Sequence, residues 1–323
     1  MKVAIIDDYQ NAVKTLDCFA KLKGHEVTIF SEPDNDLLRI ADRLKGFDAV
    51  LLTQQRTRFT RAMLERATSL KLISQTGPGA THIDVAACTE RGVLVSAGGG
   101  GMSASTAELT WGLILGAVRH IPFEVEQLKK GKWQTTLGYS LHGKTLGVYA
   151  YGRIGSIVAN VGRAFGMQVV CFGRGASVEK AKAAGFAAAS SREAFFEGAD
   201  IVTLHLPLNA ETRGIVKPED LARMKPSALI VNTSRSGLIG DAVLAAALTN
   251  GRPGRAAVDV FDEEPVLDAN HPLLKMDNVV CTPHLGYVAR ENYESYYGAA
   301  IDQIVAFANG KPINVANPDL LKK

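Results

Sequence analysis

The 323-residue sequence has no long hydrophobic run and no block of charges of one sign. Its most apolar segment, residues 109–118, is shorter than the roughly 20 residues that a transmembrane helix needs. The 36 basic and 33 acidic residues are scattered along the chain and leave a formal charge of only +3. Since nucleic acids and anionic membranes attract clustered basic residues, the sequence predicts neither a nucleic-acid partner nor a membrane.

Cysteine is also scarce, with Cys18, Cys88, Cys171 and Cys281 far apart and none in a C-x-x-C pair. We therefore predict reduced cysteines that pack in the interior, and no metal site. The first eight residues, MKVAIIDD, lead directly into a strand-like run and then into acid. A secretory signal has a basic start and a longer apolar region, so we expect a cytoplasmic protein.

Strand-like and helix-like patterns alternate along the chain in two series. The first series places strands at 3–6, 26–30, 49–53, 70–75 and 93–96, with a helix at 60–67. The second places strands at 146–150, 167–172, 201–206, 228–232, 256–260 and 278–281, and a final helix at 289–309. Such alternation predicts two α/β domains, each with a doubly wound parallel sheet. A chain of this length is near the size at which one core splits into two.

The second series opens with a glycine-spaced turn, in which Ala150, Gly152 and Gly155 occupy the three positions of the G-x-G-x-x-G dinucleotide motif. Small residues at this turn allow a pyrophosphate to approach the backbone and the start of the helix predicted at 156–165. Ala150 departs from the motif and fits if the turn does not require a positive φ. An ordinary βα turn with small residues is the alternative.

The next strand ends without the acid that hydrogen-bonds the adenosine ribose in NAD-binding proteins. Gly173 takes its place and Arg174 follows. A missing carboxylate removes repulsion of a 2′-phosphate, which a guanidinium can grip, so the pattern favours NADP over NAD. As an alternative, Arg174 is a solvated charge at the strand end.

Two glycine-rich segments lie in the first half. Residues 97–101 form the run AGGGG, which we interpret as a hinge or domain boundary. Beyond it, Ser105 and Glu108 match a capping box, and the helix pattern at 109–121 is apolar on nearly all sides, as expected for burial between domains or subunits. The loop around Gly77 and Gly79 follows a parallel strand, where glycines expose backbone donors to ligands; a tight turn explains it equally.

Three polar residues follow strands of the second series: Arg235, Glu264 and His284. Reduction of a 2-oxo acid needs a hydride donor, a cation for the carboxylate and an acid for the new alkoxide. Arg235 offers a permanently charged, planar fork. His284 titrates near neutral pH, and an adjacent Glu264 would orient its ring. Each residue alone has an ordinary structural explanation, but the set predicts an oxidoreductase.

These motifs resemble the D-isomer-specific 2-hydroxyacid dehydrogenase family over most of the chain. The segments that carry the resemblance are 145–155, 205–208, 211–214, 224–226, 231–237, 259–265 and 282–284. The resemblance implies that Arg235, Glu264 and His284 are catalytic, that Asp259 lies near the nicotinamide, and that the protein is a homodimer. It also implies a Rossmann domain at 99–287, inserted into a flavodoxin-like substrate domain at 1–98 and 288–323.

The resemblance further identifies candidate ligand-binding residues. For the substrate these are Thr76, Gly77, Gly79 and Arg235. For the cofactor they are Ala150, Gly152, Arg153, Ile154, Gly155, Gly173, Arg174, His205, Pro207, Thr212, Thr233, Asp259 and Thr106. Family members bind the substrate carboxylate through backbone N–H groups of the loop at 77–79, but Pro78 has none.

Relatives with a neutral and a basic residue at the 173–174 position include glyoxylate and hydroxypyruvate reductases, so we favour a small 2-oxo acid substrate. Phosphoglycerate dehydrogenase activity is the main alternative, with Arg56 and Arg58 placed where a phosphate pocket would form. A non-catalytic dinucleotide sensor is a second alternative. A formate dehydrogenase would carry an amide in place of Glu264, and an S-adenosylmethionine-dependent methyltransferase would not explain the catalytic set.

Overall fold

The computed structural model describes residues 1–322. The chain divides into two compact units, which we call unit 1 (Met1–Met102 with Val288–Lys323) and unit 2 (Ser103–Tyr287). Each unit contains one sheet, and every strand pair in both sheets is parallel. The predicted α/β class is therefore confirmed, and the predicted strands lie within two residues of the observed ones.

Unit 1 has the strand order β2-β1-β3-β4-β5, which is the flavodoxin-like order. Its strands are β1 Lys2–Ile6, β2 Glu26–Phe30, β3 Ala49–Leu52, β4 Leu72–Thr76 and β5 Leu94–Gly98. Its helices are α1 Leu37–Arg43, α2 Arg61–Arg66, α3 Val85–Glu90 and α11 Arg290–Ala308, with 3-10 turns at Val13–Thr15, Asp17–Leu22 and Pro318–Lys322.

Local chemistry explains where the helices of unit 1 begin. Asp36, Thr60 and Asp84 precede α1, α2 and α3, and each side chain accepts a hydrogen bond from a first-turn N–H group. The central strands are buried on both faces and consist mainly of Val, Ile, Leu and Ala. The C-terminal helix α11 buries Tyr293, Tyr297, Ile301 and Ile304 against this sheet, as its helical spacing predicts.

The glycine run at 97–101 is more tightly packed than its composition suggests. A Cβ at Gly99 would collide with Ala299, and one at Gly101 would collide with Tyr296, both on α11. Ser295 also donates a hydrogen bond of 2.6 Å to the carbonyl of Gly100. The glycines are therefore needed for close approach to α11. The division between the units follows this run at Met102.

Unit 2 has the strand order β12-β11-β10-β9-β6-β7-β8, the order of a Rossmann sheet. The strands are β6 Thr145–Tyr149, β7 Gln168–Phe172, β8 Ala187–Ala188, β9 Ile201–Leu204, β10 Leu229–Asn232, β11 Arg255–Val258 and β12 Val279–Cys281. The helices are α4 Ser103–Val118, α5 Ile121–Lys129, α6 Arg153–Ala164, α7 Gly175–Ala183, α8 Arg192–Gly198, α9 Pro218–Arg223 and α10 Asp241–Thr249, with 3-10 turns at Ser236–Leu238 and Pro272–Lys275.

Helix α4 differs from the sequence prediction in two ways. It begins at Ser103, so Ser105 lies inside the helix and donates its hydroxyl to the carbonyl of Gly286 at 2.9 Å; the predicted capping box is wrong. Its apolar faces are also buried largely within unit 2, where Trp111 and Ile114 join the core formed with α6 and the sheet. The all-round apolar character therefore needs no second domain or subunit to explain it.

The four cysteines are free; Cys18, Cys88 and Cys171 are buried and Cys281 is partly buried. Burial raises the pKa of each thiol, which keeps it protonated and unreactive. Among residues 1–322, no His, Cys, Asp and Glu side chains form a group suited to a metal ion. No helix in the same range has the length and hydropathy needed to cross a membrane.

Candidate active site

Three strands of unit 2, β10, β11 and β12, direct the candidate catalytic residues to the same edge of the sheet. Arg235 follows β10, Glu264 lies in the turn after β11, and His284 follows β12. These strands are neighbours, so their carboxyl ends lie side by side. This edge is where open α/β sheets bind ligands.

Glu264 and His284 form a hydrogen-bonded pair. His284 Nδ1 lies 2.6 Å from Glu264 Oε2, and both side chains are about one-fifth exposed (20% and 23%). The other carboxylate oxygen, Oε1, accepts a hydrogen bond of 2.9 Å from the N–H group of Phe261. Since an ionised carboxylate only accepts, Nδ1 carries the proton of this bond, and Nε2 is left as the second hydrogen-bonding atom of the ring.

Asp259 holds the turn that carries His284. It is fully buried; its Oδ1 accepts hydrogen bonds from Thr282 (2.6 Å) and the N–H group of Leu285 (2.7 Å), and its Oδ2 accepts from the N–H group of Gly286 (2.9 Å). Burial raises the pKa of Asp259, while these donors and the nearby His284 act in the opposite direction. His284 has a left-handed backbone (φ 54°), which costs about 1–3 kcal/mol in a non-glycine residue. The bonds to Asp259 maintain that conformation.

Arg235 has an extended backbone and a partly exposed side chain. Its Nη1 donates to the carbonyl of Ser234 at 2.7 Å, and it forms no ion pair within residues 1–322. Asn232 fixes the loop on both sides of it, donating to the Arg235 carbonyl and accepting from the Ser234 N–H group. A partly exposed guanidinium without a carboxylate partner suits an anionic ligand.

The glycine-spaced turn connects β6 to α6. A Cβ at Gly155 would collide with the carbonyl oxygen of Ala150, so glycine is required there for close packing of helix on strand. Helix α6 begins after Gly152 without a side-chain cap, which leaves the first-turn N–H groups, including those of Arg153 and Ile154, without helical acceptors. Ala150 has φ 75°, so the turn does require a positive φ, contrary to the condition under which alanine was expected to fit.

A carboxylate from another loop lies beside the end of β7. Arg174, at the N-cap of α7, forms an ion pair with Glu211 from the loop after β9. Both side chains are about 70% exposed (70% and 68%). Gly173 precedes this arginine, and a Cβ there would lie 3.3 Å from Ser177 Oγ, which accepts a hydrogen bond from the N–H group of Tyr151.

The side chains of three other candidate cofactor residues form hydrogen bonds with groups of the protein itself. The Thr212 hydroxyl donates to the carbonyl of Pro207 at 2.6 Å and shapes that loop. Thr106 donates to the Gly286 carbonyl. The Thr110 hydroxyl donates to the carbonyl of Thr106, so its 2.8 Å contact with Thr233 leaves Thr233 as donor.

His205, which follows β9, is different. Its Nε2 lies 3.0 Å from the Thr203 hydroxyl, but its Nδ1 is buried without a hydrogen-bond partner among residues 1–322. Burial lowers the pKa of His205 to about 3, so the ring is neutral at physiological pH. An orphaned buried nitrogen at the ligand-binding edge marks a position where a bound group would supply the missing partner.

In unit 1, the loop after β4 has fewer polar groups available to bind a ligand than its glycines suggest. Thr76 Oγ1 accepts a hydrogen bond from the N–H group of Gln54 (2.6 Å), and the N–H group of Gly77 donates to the Gly98 carbonyl (2.9 Å). Pro78 has no N–H group. Among residues 77–79, Gly79 is therefore the one whose N–H group is left for a ligand.

Sequence reasoning missed four residues that bind to site residues or to the loops carrying them. These are Glu211, which pairs with Arg174, and a cluster of Asp241, Asp262 and His271 next to the Glu264 turn. Each bond joins positions 21 to 37 residues apart. Nothing in the sequence signals these pairings, because they depend on how loops from different strands meet.

The chain is similar to proteins of one known family. Residues 111–286 match the family described as D-isomer specific 2-hydroxyacid dehydrogenase, NAD binding domain. The chain belongs to the D-isomer specific 2-hydroxyacid dehydrogenase family. The matched residues lie within unit 2, so unit 2 is the nicotinamide dinucleotide-binding domain of this family member.

The relatives of this family member differ in the substrates that their names give. It is 39% identical over 274 residues to D-3-phosphoglycerate dehydrogenase of Methanocaldococcus jannaschii (84% of this chain, 52% of the relative), and 38% identical over 270 residues to glyoxylate reductase of Aeropyrum pernix (80% of each). The chain spans about half the length of the first of these. A crystal structure of a candidate D-3-phosphoglycerate dehydrogenase oxidoreductase from Ralstonia solanacearum is 47% identical, with a TM-score of 0.95 over 99% of this chain and 98% of that one.

Proposed function

We propose that this protein is an NAD(P)-dependent oxidoreductase that interconverts a small 2-oxo acid and its D-2-hydroxy acid. The observation that carries the proposal is the Glu264–His284 pair, held on the same sheet edge as Arg235. A buried or solvated histidine without a carboxylate partner would not be oriented for proton transfer. The family to which the chain belongs supports the same reaction class.

Each of the three side chains has a defined part in this chemistry. Arg235 binds the substrate carboxylate and polarises the carbonyl. Protonated His284 gives its Nε2 proton to the carbonyl oxygen as that oxygen gains negative charge, and takes it back in the oxidative direction. Glu264 accepts from Nδ1 in both directions, which fixes the ring and stabilises the imidazolium. We expect the Gly79 N–H group to add to carboxylate binding, while Thr76 and Gly77 shape the loop.

The residues of unit 2 fit a dinucleotide. The uncapped first turn of α6 offers the N–H groups of Arg153, Ile154 and Gly155 to a pyrophosphate, with Ala150 and Gly152 close to it. The unpartnered Nδ1 of His205 lines the same edge. When bound, the nicotinamide supplies or accepts the hydride. Pro207 contributes to the surface that the dinucleotide contacts. The surrounding loops are held by the side chains of Thr106, Thr212, Thr233 and Asp259.

We favour NADP over NAD as the cofactor. An exposed ion pair such as Arg174–Glu211 is worth only about 0–1 kcal/mol, so Arg174 can exchange Glu211 for a 2′-phosphate. Glu211 then competes with that phosphate for the guanidinium. We therefore expect Glu211→Gln to raise the NADPH/NADH ratio of kcat/KM a few-fold and Arg174→Gln to lower it. A ratio that does not respond to Arg174→Gln contradicts the assignment.

Glyoxylate and hydroxypyruvate are the preferred substrates in this proposal, and phosphoglycerate is the alternative. Names of relatives support both. Unit 1 contains an arginine suited to a phosphate: the Arg56 guanidinium lies 5.1 Å above the ring of Tyr9. The exposed Arg58 is two residues away. If phosphoglycerate is the substrate, Arg56→Ala should raise KM for phosphohydroxypyruvate and leave KM for glyoxylate unchanged.

The deciding experiment measures initial rates of NADPH and NADH oxidation with glyoxylate, hydroxypyruvate, pyruvate and phosphohydroxypyruvate. We expect the highest kcat/KM with NADPH and one of the first two acids. Preference for phosphohydroxypyruvate would select the alternative substrate. Cofactor binding without turnover of any of the four acids would overturn the enzyme assignment in favour of a dinucleotide sensor.

We also propose that the protein is a homodimer in the cytoplasm. Helix α5 and the segment 130–141 surround a groove of about 1440 Å³ and carry protruding apolar side chains, including Trp133 (75% exposed) and Leu137 (93% exposed). A surface that presents both a groove and projecting apolar groups is suited to pairing with a second copy around a twofold axis. Light scattering should give a dimer for the wild type and a monomer for Leu137→Asp; a monomeric wild type would contradict the proposal.

A further inference from the structure

Behind the Glu264 turn, the side chains of Asp241, Asp262 and His271 form a hydrogen-bonded cluster. Asp241 is the first residue of α10. Its N–H group donates to Asp262 Oδ2 at 2.9 Å, and the Asp262 N–H group donates back to Asp241 Oδ2 at 2.8 Å. His271 Nε2 lies 3.1 Å from the same Asp241 oxygen. These contacts join the start of α10, the β11 turn and the loop before β12.

Asp241 connects the cluster to Arg235 through a short segment of the chain. Only the short 3-10 turn Ser236–Leu238 and two further residues separate Arg235 from Asp241. This segment is closed by its own hydrogen bonds, from the Leu238 N–H group to the Arg235 carbonyl and from the Gly240 N–H group to the Ser236 carbonyl. Because the segment is short and internally bonded, we expect a displacement of Asp241 to move Arg235 as well.

Asp262 connects the cluster to Glu264. Asp262 precedes Glu264 by two residues, and the neighbouring Phe261 donates its N–H group to Glu264 Oε1. The ring of Phe261 packs edge-on against the ring of His271, with centroids 5.2 Å apart. The backbone that supports the Glu264 carboxylate is therefore held by the same three side chains.

Two of the three side chains of the cluster are enclosed, while Asp262 lies at the surface. The side chains of Asp241 and His271 are 13% and 18% exposed. Burial raises the pKa of Asp241, with a further contribution from the nearby Asp262 carboxylate. Polar groups in such surroundings hold their partners firmly, because an unpaired buried group loses its hydration without compensation.

We propose that Asp241, Asp262 and His271 are positioning residues that fix Arg235 relative to the Glu264–His284 pair. This inference rests on the proposed function of that pair. The hydrogen bonds of the cluster connect its members to one another and to backbone N–H groups, so it acts on the reaction through the backbone segments it joins.

The kinetic test compares Asp241→Ala, Asp262→Ala and Asp262→Asn with a control, Asp220→Asn, which alters a buried carboxylate paired with Arg192 elsewhere in unit 2. We expect the two alanine variants to lose roughly 10- to 100-fold in kcat with glyoxylate, because misplacement by about 1 Å costs this much. Asp262→Asn keeps an acceptor oxygen and should retain most of the activity, as should Asp220→Asn. NADPH dissociation constants should not change. A kcat within twofold of wild type in both alanine variants overturns the proposal.

A second measurement does not depend on turnover. The Nδ1 proton that His284 shares with Glu264 should give a downfield ¹H NMR resonance, identified by its absence in His284→Gln. We expect Asp241→Ala and Asp262→Ala to shift or broaden this resonance and Asp220→Asn to leave it unchanged. An unchanged resonance in the alanine variants overturns the proposal. If the wild type reduces none of the acids tested, the proposed function fails, and the resonance still decides whether the cluster positions the pair.

Discussion

Each unit has a histidine beyond the carboxyl end of a parallel strand. The two rings differ in their hydrogen-bond partners and in the effect of their burial. His284 in unit 2 is one-fifth exposed and bonded to Glu264. His82 in unit 1 has both ring nitrogens buried, and neither has a hydrogen-bond partner in the part of the chain that the structure describes. Burial lowers the pKa of His82 to about 4. The position after a strand is thus shared by a histidine suited to proton transfer and one that is only packed. The carboxylate partner makes the difference.

The largest expected effect comes from replacing the two histidines in turn. His284→Gln should lower kcat by roughly 10²- to 10⁴-fold, because the proton donor is lost. NADPH affinity, measured by fluorescence titration, should be retained. His82→Leu is the matched variant and should keep kcat within about twofold, since a neutral buried ring takes no part in proton transfer. Comparable losses in both variants would refute the contrast between the two rings.

Glu264→Gln removes the charge of the partner but keeps its shape. We expect kcat to fall by roughly 10²-fold, since the amide neither stabilises the imidazolium nor enforces the Nδ1–H tautomer. The NADPH dissociation constant should stay unchanged. If the kcat of this variant equals that of the wild type, the carboxylate is not the feature that separates His284 from His82.

Because His82 is buried as a neutral ring, we expect the protein to become less stable as the pH falls. The pKa of His82 is about 4 in the folded protein against 6.5 in the unfolded chain, so the unfolded chain binds more protons between these values. Stability is therefore lost as the pH falls from 6.5 to 4, by roughly 2 kcal/mol after allowance for partial hydration. Urea unfolding at a series of pH values should show this loss, reduced in His82→Leu. His205 adds a similar loss down to about pH 3 in both proteins.

A smaller effect is expected from the loop that precedes His82. Pro78→Gly adds an N–H group beside that of Gly79, and one additional hydrogen bond to the substrate carboxylate is worth about 1 kcal/mol. KM for glyoxylate should then fall roughly fivefold at constant kcat. An unchanged or higher KM would indicate that this loop does not bind the carboxylate and that Arg235 acts without it.

The smallest effect concerns the left-handed backbone that Ala150 shares with His284. Ala150→Gly should relieve strain but increase the freedom of the unfolded chain, so we expect a net stabilisation of about 0.5–1 kcal/mol. The unfolding temperature should rise slightly with NADPH binding intact. A fall in stability would show that the methyl group of Ala150 contributes packing that outweighs its strain.

The sequence predicted most of the fold because the relevant signals are local. Runs of Val, Ile and Leu mark strands buried on both faces, and helical spacing marks α11. It failed at α4, where Ser105 and Glu108 imitate a helix start although the helix begins at Ser103. At residues 97–101 it indicated the boundary between the units but not the close packing of the glycines against α11. In both places a local pattern has two structural meanings, and tertiary contacts select one.

The sequence by itself determined the two parallel sheets, the glycine-spaced turn, and the residue types Arg235, Glu264 and His284 at strand ends, because each depends on neighbours within a few positions. Only the tertiary structure decided that Glu264 reaches His284, that Glu211 pairs with Arg174, and that Asp241 and His271 hold the turn from behind. These bonds join loops from different strands, whose meeting is set by the strand order of the sheet.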